Sequence, residues 1–287
     1  MVHLSLRGTP LPCGDRPLEA VLFDKDGTIS HSEPMLIALA QARVFHCLEL
    51  VDLAAADPQR HRDLDVLLHR AYGLAPEGVH PAGTMAVASR DQNLVATATT
   101  LVQVGLGWPE ALAMAEAVFA LTDALHGQGS EQRPAPTAGL RPLLEALRLA
   151  GVRCAVISND HVDGIKAFLA AHDLASYVQA IWSAEHQPRK PDPAAVHGLC
   201  EELDVAVESC ALIGDANSDL RMARAAGVPV VLGYRAGWQR PVELDSSFLQ
   251  LDHWRELAVV AGVTLPLAAP SIPGAASQPM GISSPID

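Results

Sequence analysis

The sequence has 287 residues, 49% of them hydrophobic, which is enough for one large domain or for a domain carrying a second, smaller one. A formal net charge of −13 and a pI of about 5.3 disfavour nucleic acids and anionic membrane surfaces as partners, because both require a basic surface. The five scattered cysteines and the absence of a secretory pattern or a long uncharged run predict a cytoplasmic protein with reduced thiols.

The first predicted element is an apolar strand at residues 18–23, which stops at Asp24-Lys25-Asp26-Gly27. In extended backbone Asp24 and Asp26 share a face, and Lys25 points away. Two close carboxylates repel each other unless a cation or a proton intervenes. One of them could attack phosphorus while the other protonates the leaving alkoxide, although an Asp-Gly pair after a strand is also common in simple turns.

Residues 32–132 have apolar side chains at helical spacing and no convincing strand, which predicts a helical insertion. Residues 1–17 are an N-terminal extension, and residues 263–287, rich in Pro, Ser, Gly and Ala, predict a disordered tail. Within the insertion, Arg60, Arg62 and Arg90 are candidates to bind an anionic part of a substrate, although solvated helix faces explain them equally simply.

After the insertion, predicted strands alternate with predicted helices, which indicates a parallel sheet covered on both faces. The predicted strands are residues 152–157, 179–182, 210–213 and 228–232, and the predicted helices are residues 139–150, 161–172, 193–203 and 218–226. In such sheets ligands bind beyond the carboxyl ends of the strands. Polar residues that follow these strands are therefore candidate site residues.

Three polar segments fit this position, although each has a bland alternative. Ser158-Asn159-Asp160 could offer a hydroxyl and a helix N-terminal amide to phosphate, or could simply cap a helix. Lys190, between Arg189 and Pro191, could hold a positive charge near phosphate, or could be one of the Lys-Pro pairs that are common at protein surfaces. Asp215 and Asp219, four residues apart at a strand–loop–helix junction, could ligate Mg²⁺, or one could be a solvated cap residue.

Taken together, the motifs resemble those of the haloacid dehalogenase-like (HAD) superfamily. The matching residues, in order, are Asp24-x-Asp26-Gly27-Thr28, Ser158, Lys190, and Gly214-Asp215 with Asp219. The insertion resembles the type-1 helical cap of phosphoglycolate phosphatase-like members. The resemblance implies an α/β fold: a Rossmann-like parallel sheet flanked by helices, formed by residues 18–31 and 133–262, with an inserted all-helical cap at residues 32–132.

The resemblance also implies a Mg²⁺-dependent phosphatase that acts on a small phosphorylated metabolite, such as phosphoglycolate or a sugar phosphate, through an aspartyl-phosphate. Asp24 would be the nucleophile and Asp26 the general acid and base. The implied metal ligands and supports are Asp24, Asp26 (through its carbonyl), Asp215 and Asp219, and the implied phosphate-binding residues are Thr28, Ser158, Asn159 and Lys190. Oligomeric state is left open.

Two alternatives remain open at this stage. A β-phosphoglucomutase-like mutase uses the same two aspartates, and a non-catalytic binding module could retain the fold. A dehalogenase is disfavoured by the retained Asp26, Asp215 and Thr28, and a phosphonoacetaldehyde hydrolase by the absence of lysine between Lys25 and Lys166. His31 departs from the family pattern, in which many members have aspartate, and is either a hinge or substrate contact or a structural histidine.

Overall fold

The computed structural model describes residues 1–54, 58–127 and 133–261. The tail predicted at residues 263–287 lies outside this part of the chain. In the described residues the strands are β1 (Val2–Leu6), β2 (Thr9–Leu11), β3 (Ala20–Phe23), β4 (Ser30–His31), β5 (Leu74–Ala75), β6 (Gly78–Val79), β7 (Ala135–Pro136), β8 (Arg153–Ile157), β9 (Ala180–Trp182), β10 (Cys210–Gly214), β11 (Val230–Tyr234), β12 (Leu249–Leu251) and β13 (Leu257–Ala261). The α-helices are α1 (Glu33–Ala54), α2 (Pro58–Tyr72), α3 (Thr84–Val87), α4 (Arg90–Gln103), α5 (Trp108–Gly127), α6 (Leu140–Leu149), α7 (Val162–Ala171), α8 (Pro193–Leu203) and α9 (Asn217–Ala225).

A six-stranded sheet forms the centre of the α/β core in the order β12-β11-β10-β3-β8-β9, and its neighbouring strands are all parallel. All four residues of β3 are buried because helices cover both faces of the sheet. Val21 and Phe23 pack into one apolar layer, and Ala20 and Leu22 into the other. Each fully buried large apolar side chain contributes about 1.5–3 kcal/mol. The predicted α/β fold with a parallel sheet is confirmed.

The register of the central strands brings the predicted motifs to one edge of the sheet. Phe23, the last residue of β3, lies opposite Ile213 of β10 and Val156 of β8. The amide of Asp24 then donates to the carbonyl of Ile213 at 2.9 Å. Because parallel strands end at the same edge, the loops that follow β3, β8 and β10 converge there.

The described residues between β4 and β7, which we call the cap, are helical apart from a small hairpin. Helix α5 packs against α1 and α4, and α2 also contacts α1 and α4. Strands β5 and β6 pair antiparallel over two residues each, a detail that the apolar spacing did not predict. Gly73 and Gly78 flank or enter this hairpin with φ of +75° and +111°, which side-chain-bearing residues rarely adopt.

Helix α1 is long and apolar enough, by length and composition, to cross a membrane over Glu33–Val51. A single helix of this kind is weak support for a membrane span, because buried helices of other proteins pass the same test. Here Ala40, Val44 and Cys47 of α1 are buried in the apolar cluster of the cap. The helix thus has a packing role within the described part of the chain.

Residues 1–17, to which the sequence assigned no secondary structure, contribute two strands, β1 and β2, to a second sheet. It is three-stranded and antiparallel, in the order β13-β1-β2. Leu4 and Leu6 of β1 and Leu257 of β13 are buried in the same apolar layer as Val21 and Phe23. The amino-terminal segment therefore completes one side of the α/β core.

Candidate active site

Three buried aspartates meet at the carboxyl edge of the core sheet. Asp24 follows β3, Asp215 follows β10, and Asp219 lies in the first turn of α9. One carboxylate oxygen from each lies within 4.8 Å of the others, and the residues are 7%, 3% and 4% exposed respectively. Such a group of hard oxygen donors fits a divalent cation such as Mg²⁺.

Lys190 supplies positive charge to this carboxylate cluster. Its Nζ contacts Asp24 Oδ1 at 2.6 Å and Asp219 Oδ1 at 2.7 Å, and it donates to the carbonyl of Ile157 at 3.2 Å. Burial alone would lower the pKa of Lys190, but Asp219 and Asp24 outweigh it and raise the pKa above its ordinary value. Lys190 is thus a fixed cation. Helix α8 begins just after it, capped by Asp192, which accepts from the amide of Ala194 at 2.9 Å.

Lys190 does not fully offset the burial and mutual repulsion of the carboxylates. Burial raises the pKa of Asp24 to about 6, with Lys190 opposing the shift and Asp219 adding to it. Burial also raises the pKa of Asp215, and repulsion from Asp24 and Asp219 adds to the effect. Three carboxylates with one lysine between them are under-compensated, and a divalent cation would relieve this repulsion.

Both oxygens of Asp215 accept hydrogen bonds from buried donors. The hydroxyl of Thr28 donates to Oδ1 at 2.9 Å, and the indole N–H of Trp238 donates to Oδ2 at 2.6 Å. Thr28 is fully buried and does not line the cavity described below. Its predicted role in binding phosphate stays a prediction. A β-branched hydroxyl after the Asp-Gly pair therefore supports a carboxylate in this chain.

The loop that carries Trp238 joins the core to the cap. A Cβ at Gly27, where φ is +79°, would collide with the Trp238 ring, so glycine allows the two loops to approach. The ring packs in the apolar cluster of the cap, and the amide of Gln239 donates to Glu33 Oε2, at the start of α1, at 2.6 Å. Sequence reasoning missed Trp238, because a lone Gly-Trp pair after a strand has no periodic or motif signal.

A second hydrogen-bonded chain supports the loop from behind. The indole of Trp254 donates to the Thr137 hydroxyl at 2.7 Å, and Thr137 donates to the carbonyl of Thr28 at 2.8 Å. Trp254 stacks on Tyr234 with ring centroids 4.4 Å apart. Trp254 and Thr137, which are distant in sequence, thereby hold the backbone at Thr28, the residue that donates to Asp215.

Asp26 lies at the same edge but outside the three-aspartate cluster. Its Oδ1 accepts from the Ser32 hydroxyl and from Lys25 Nζ, the latter at 2.5 Å. Lys25 therefore does not point away from the site as predicted: it is buried and also contacts Asp160 at 3.1 Å. Burial lowers the pKa of Lys25, but Asp26 and Asp160 outweigh this and raise it.

Ser158 and Asn159 follow β8 and line the same cavity as the aspartates. The Ser158 hydroxyl accepts from the amide of Asp160 at 3.1 Å, which is the local turn expected of a cap-like serine. The side-chain amide of Asn159 donates to the carbonyl of Val87, a cap residue, at 2.9 Å. Asn159 thus ties the core loop to the cap in addition to facing the cavity.

The cavity, of about 210 Å³, lies between the core and the cap. We call its two sides the core end (Asp24, Asp26, Ser158, Lys190, Asp215 and Asp219) and the cap end (Arg43, Arg90, Asn93 and Asp123). Of the three arginines considered from sequence, Arg90 lines the cavity, whereas Arg60 and Arg62 on α2 do not. His31 does not line it either; it lies in β4, which pairs with β7 where the chain leaves and re-enters the core.

Comparison with known proteins identifies the family to which the chain belongs. The family model of the haloacid dehalogenase-like hydrolases matches residues 18–227, and the chain belongs to that family. The match spans β3, the whole cap and the core through α9, and so includes every residue of the core end.

Individual relatives narrow the resemblance further. The chain is 28% identical to the phosphoglycolate phosphatase of Rhodospirillum rubrum over 251 residues, covering 86% of this chain and 92% of that protein. It is 28% identical to the phosphoglycolate phosphatase of Photobacterium profundum over 148 residues, covering 51% of this chain and 65% of that protein. The chain thus spans somewhat under two thirds of the Photobacterium protein. The phosphoglycolate phosphatase of Pseudomonas fluorescens Pf-5 is 33% identical over 47% of this chain, and the match covers 53% of that protein.

Among solved structures, a predicted phosphoglycolate phosphatase from Haemophilus somnus 129PT superposes with a TM-score of 0.56 at 17% identity, covering 83% of this chain and 95% of that one. A structure from Lactobacillus delbrueckii subsp. bulgaricus gives a TM-score of 0.54 at 18% identity, covering 84% and 97%. At these identities the superpositions support the fold, with core and cap in one chain.

Proposed function

We propose that the protein is a Mg²⁺-dependent phosphatase that hydrolyses a small phosphate monoester through an aspartyl-phosphate on Asp24. The observation that carries the proposal is a group of three buried carboxylates within 4.8 Å of one another that line a cavity, two of them in contact with Lys190. Family membership and the phosphoglycolate phosphatase relatives support hydrolysis of a phosphate ester.

Asp24, Asp215 and Asp219 have the donor chemistry to hold the cation, and the raised pKa of Asp24 and of Asp215 fits a site that needs one. When bound, Mg²⁺ would neutralise charge on the transferring phosphoryl group. Thr28 and Trp238 hold both oxygens of Asp215 in place, so the cluster is ordered before ligand binds.

Asp24 Oδ1 is held by Lys190 and is positioned to attack phosphorus as a nucleophile. Lys190 and the Ser158 hydroxyl bind phosphoryl oxygens, and the lysine offsets the repulsion between an anionic nucleophile and an anionic substrate. Asp26 protonates the leaving oxygen and later deprotonates the water that hydrolyses the aspartyl-phosphate. Both donors to Asp26 use Oδ1, which leaves its second oxygen for these proton transfers.

The cavity sets the size of the substrate. At about 210 Å³ it is smaller than the roughly 300–1,000 Å³ of sites for drug-sized ligands, which favours a metabolite of a few carbons over a nucleotide. The cap closes over the core end, and Asn159 and Trp238 tie the two together, so that bulk water is excluded during the reaction. We propose a cytoplasmic location from the composition, which has five scattered cysteines and a net charge of −13.

The test is phosphate release from 2-phosphoglycolate, glucose 6-phosphate, a nucleoside monophosphate and p-nitrophenyl phosphate, with Mg²⁺ and with a chelator. We expect release that requires Mg²⁺ and is fastest for the smallest ester. Release that persists in chelator would refute the metal-dependent mechanism. A phosphorylated protein that accumulates without hydrolysis, and turns over only with a bisphosphate, would identify a mutase instead.

A further inference from the structure

Arg43 of α1 is a buried arginine at the cap end of the cavity. It is only 3% exposed, and it lines the same cavity as Asp24 and Lys190. No motif of the sequence singles it out, because it lies within an apolar helix. Its position places a guanidinium opposite the carboxylate cluster of the core end.

The guanidinium of Arg43 has no anionic partner among the residues that the structure describes. Its carbon lies 3.9 Å from the centroid of the Phe119 ring, and Nη1 is 3.6 Å from the sulfur of Met85. Its buried Nε has no hydrogen-bond partner. Burial lowers the pKa of Arg43, with Asp123 opposing the shift. A buried cation without a counterion is costly and uncommon, since a ring face and a thioether compensate only part of the water that burial removes.

Asp123, the carboxylate at the cap end, is already paired with another residue. Arg90 contacts its Oδ2 through Nε at 2.8 Å and through Nη2 at 2.5 Å. The Phe119 ring is near both arginines, and the carbon of the Arg90 guanidinium lies 5.2 Å from its centroid. Two arginines and one aspartate leave the cap end with an excess of one positive charge, whereas the core end is acidic.

We propose that Arg43 binds a second anionic group of the substrate, so that the preferred class is a compact phosphate monoester carrying an anion at the end opposite its phosphate. This inference rests on the proposed phosphatase function and specifies its substrate. The planar guanidinium offers paired N–H donors that match a carboxylate or a phosphate, and a neutral hydroxyl would leave the charge uncompensated. The cavity volume of about 210 Å³ keeps the two ends of such a molecule close together.

The experiment compares substrates that differ only at the far end: 2-phosphoglycolate, 2-hydroxyethyl phosphate and ethylene glycol bisphosphate. The variants are Arg43→Met, Arg43→Lys and the matched control Arg62→Met, an exposed cap arginine outside the cavity. We expect Arg43→Met to lower kcat/KM about 10- to 100-fold for the better of the two doubly anionic substrates, as for a lost charged hydrogen bond. The same variant should leave 2-hydroxyethyl phosphate within about threefold.

The two anionic substrates distinguish a carboxylate from a phosphate as the group bound. Arg43→Lys should recover part of the lost kcat/KM, because it restores charge without the paired geometry, and Arg62→Met should resemble the wild type. The melting temperature of Arg43→Met without ligand should not fall, because the variant removes an unpaired buried charge. A lower melting temperature with equal losses for all three substrates would assign Arg43 a structural role and overturn the inference.

Failure of the phosphatase proposal is distinguishable from failure of this one. If the wild type released phosphate from none of the three esters, calorimetric titration of 2-phosphoglycolate and 2-hydroxyethyl phosphate would still compare binding. Tighter binding of 2-phosphoglycolate by the wild type, lost in Arg43→Met, would support the role of Arg43 in a protein that binds without turnover. Equal affinities for both ligands would overturn it.

Discussion

The core end and the cap end of the cavity differ in how their buried charges are paired. At the core end Lys190 contacts both Asp24 and Asp219, and Asp215 accepts two hydrogen bonds, so each group is fixed by protein partners. At the cap end Arg43 has packing contacts but no anion among the described residues. The contrast suggests that the core end is organised for a reaction and the cap end for a ligand that supplies the missing charge.

The largest expected effect comes from the core end. Asp24→Asn should lower kcat by roughly 10⁴-fold or more, because an amide is not a competent nucleophile toward phosphorus. The fold should persist, since the substitution removes a buried carboxyl whose pKa is raised by burial. Phosphate release and the melting temperature are the measurements.

Asp163→Asn, an exposed aspartate on α7, is the control for Asp24→Asn and should leave kcat unchanged. A rate for Asp24→Asn near that of the wild type would remove the basis for treating the core end as the reactive one.

A smaller and more selective loss is expected for Asp26→Asn, since this residue acts on the leaving group. Alkyl phosphates, whose leaving alkoxide needs a proton, should lose about 10²- to 10⁴-fold in kcat/KM, and p-nitrophenyl phosphate should lose much less. The ratio of the two losses is the measurement. Equal losses for both esters would show that Asp26 positions other groups and does not transfer the proton.

The smallest effect on activity is expected for Trp238, which contacts both the core end of the cavity and the apolar cluster of the cap. Trp238→Phe keeps an aromatic ring in the apolar cluster of the cap but removes the N–H that donates to Asp215 at 2.6 Å. We expect the Mg²⁺ concentration for half-maximal activity to rise about 10-fold, as for other groups that orient a metal ligand, with little change in kcat at saturating Mg²⁺.

Trp108→Phe, which changes a tryptophan that is 48% exposed on the cap surface, is the control for Trp238→Phe and should not alter the Mg²⁺ requirement. An unchanged Mg²⁺ requirement in Trp238→Phe would mean that Thr28 alone is sufficient to orient Asp215.

The sequence predicted the core more fully than the cavity. Apolar runs bounded by polar loops predicted the ends of β3, β8, β9, β10 and β11 to within two residues. Such runs are a reliable signal because these strands are buried on both faces of the sheet. Strands β1, β2 and β12 have mixed composition, and β13, although apolar, pairs with β1 from the other end of the chain, so long-range pairing determines these strands.

The site residues also divide into those with a local sequence signal and those whose contacts depend on long-range pairing. Asp24, Ser158, Lys190 and Asp215 could be proposed together because each follows its own predicted strand. Thr28 and Lys25 have partners, Asp215 and Asp160, that become neighbours only after folding, so their contacts could not be derived from spacing. Arg43 is hidden for the opposite reason: its signal is the lack of a partner, which only a three-dimensional structure can reveal.

The pairing of β1 with β13 also has a consequence for synthesis on the ribosome. Val2 lies opposite Ala261, and β3 has as its neighbours β8 and β10, which follow the whole cap in the chain. The cap is continuous in sequence and can fold as it emerges, whereas β3 must wait for strands translated much later. Asp24 and Asp215 therefore meet only after β10 has left the exit tunnel, so a nascent chain that ends within the cap has no assembled catalytic centre.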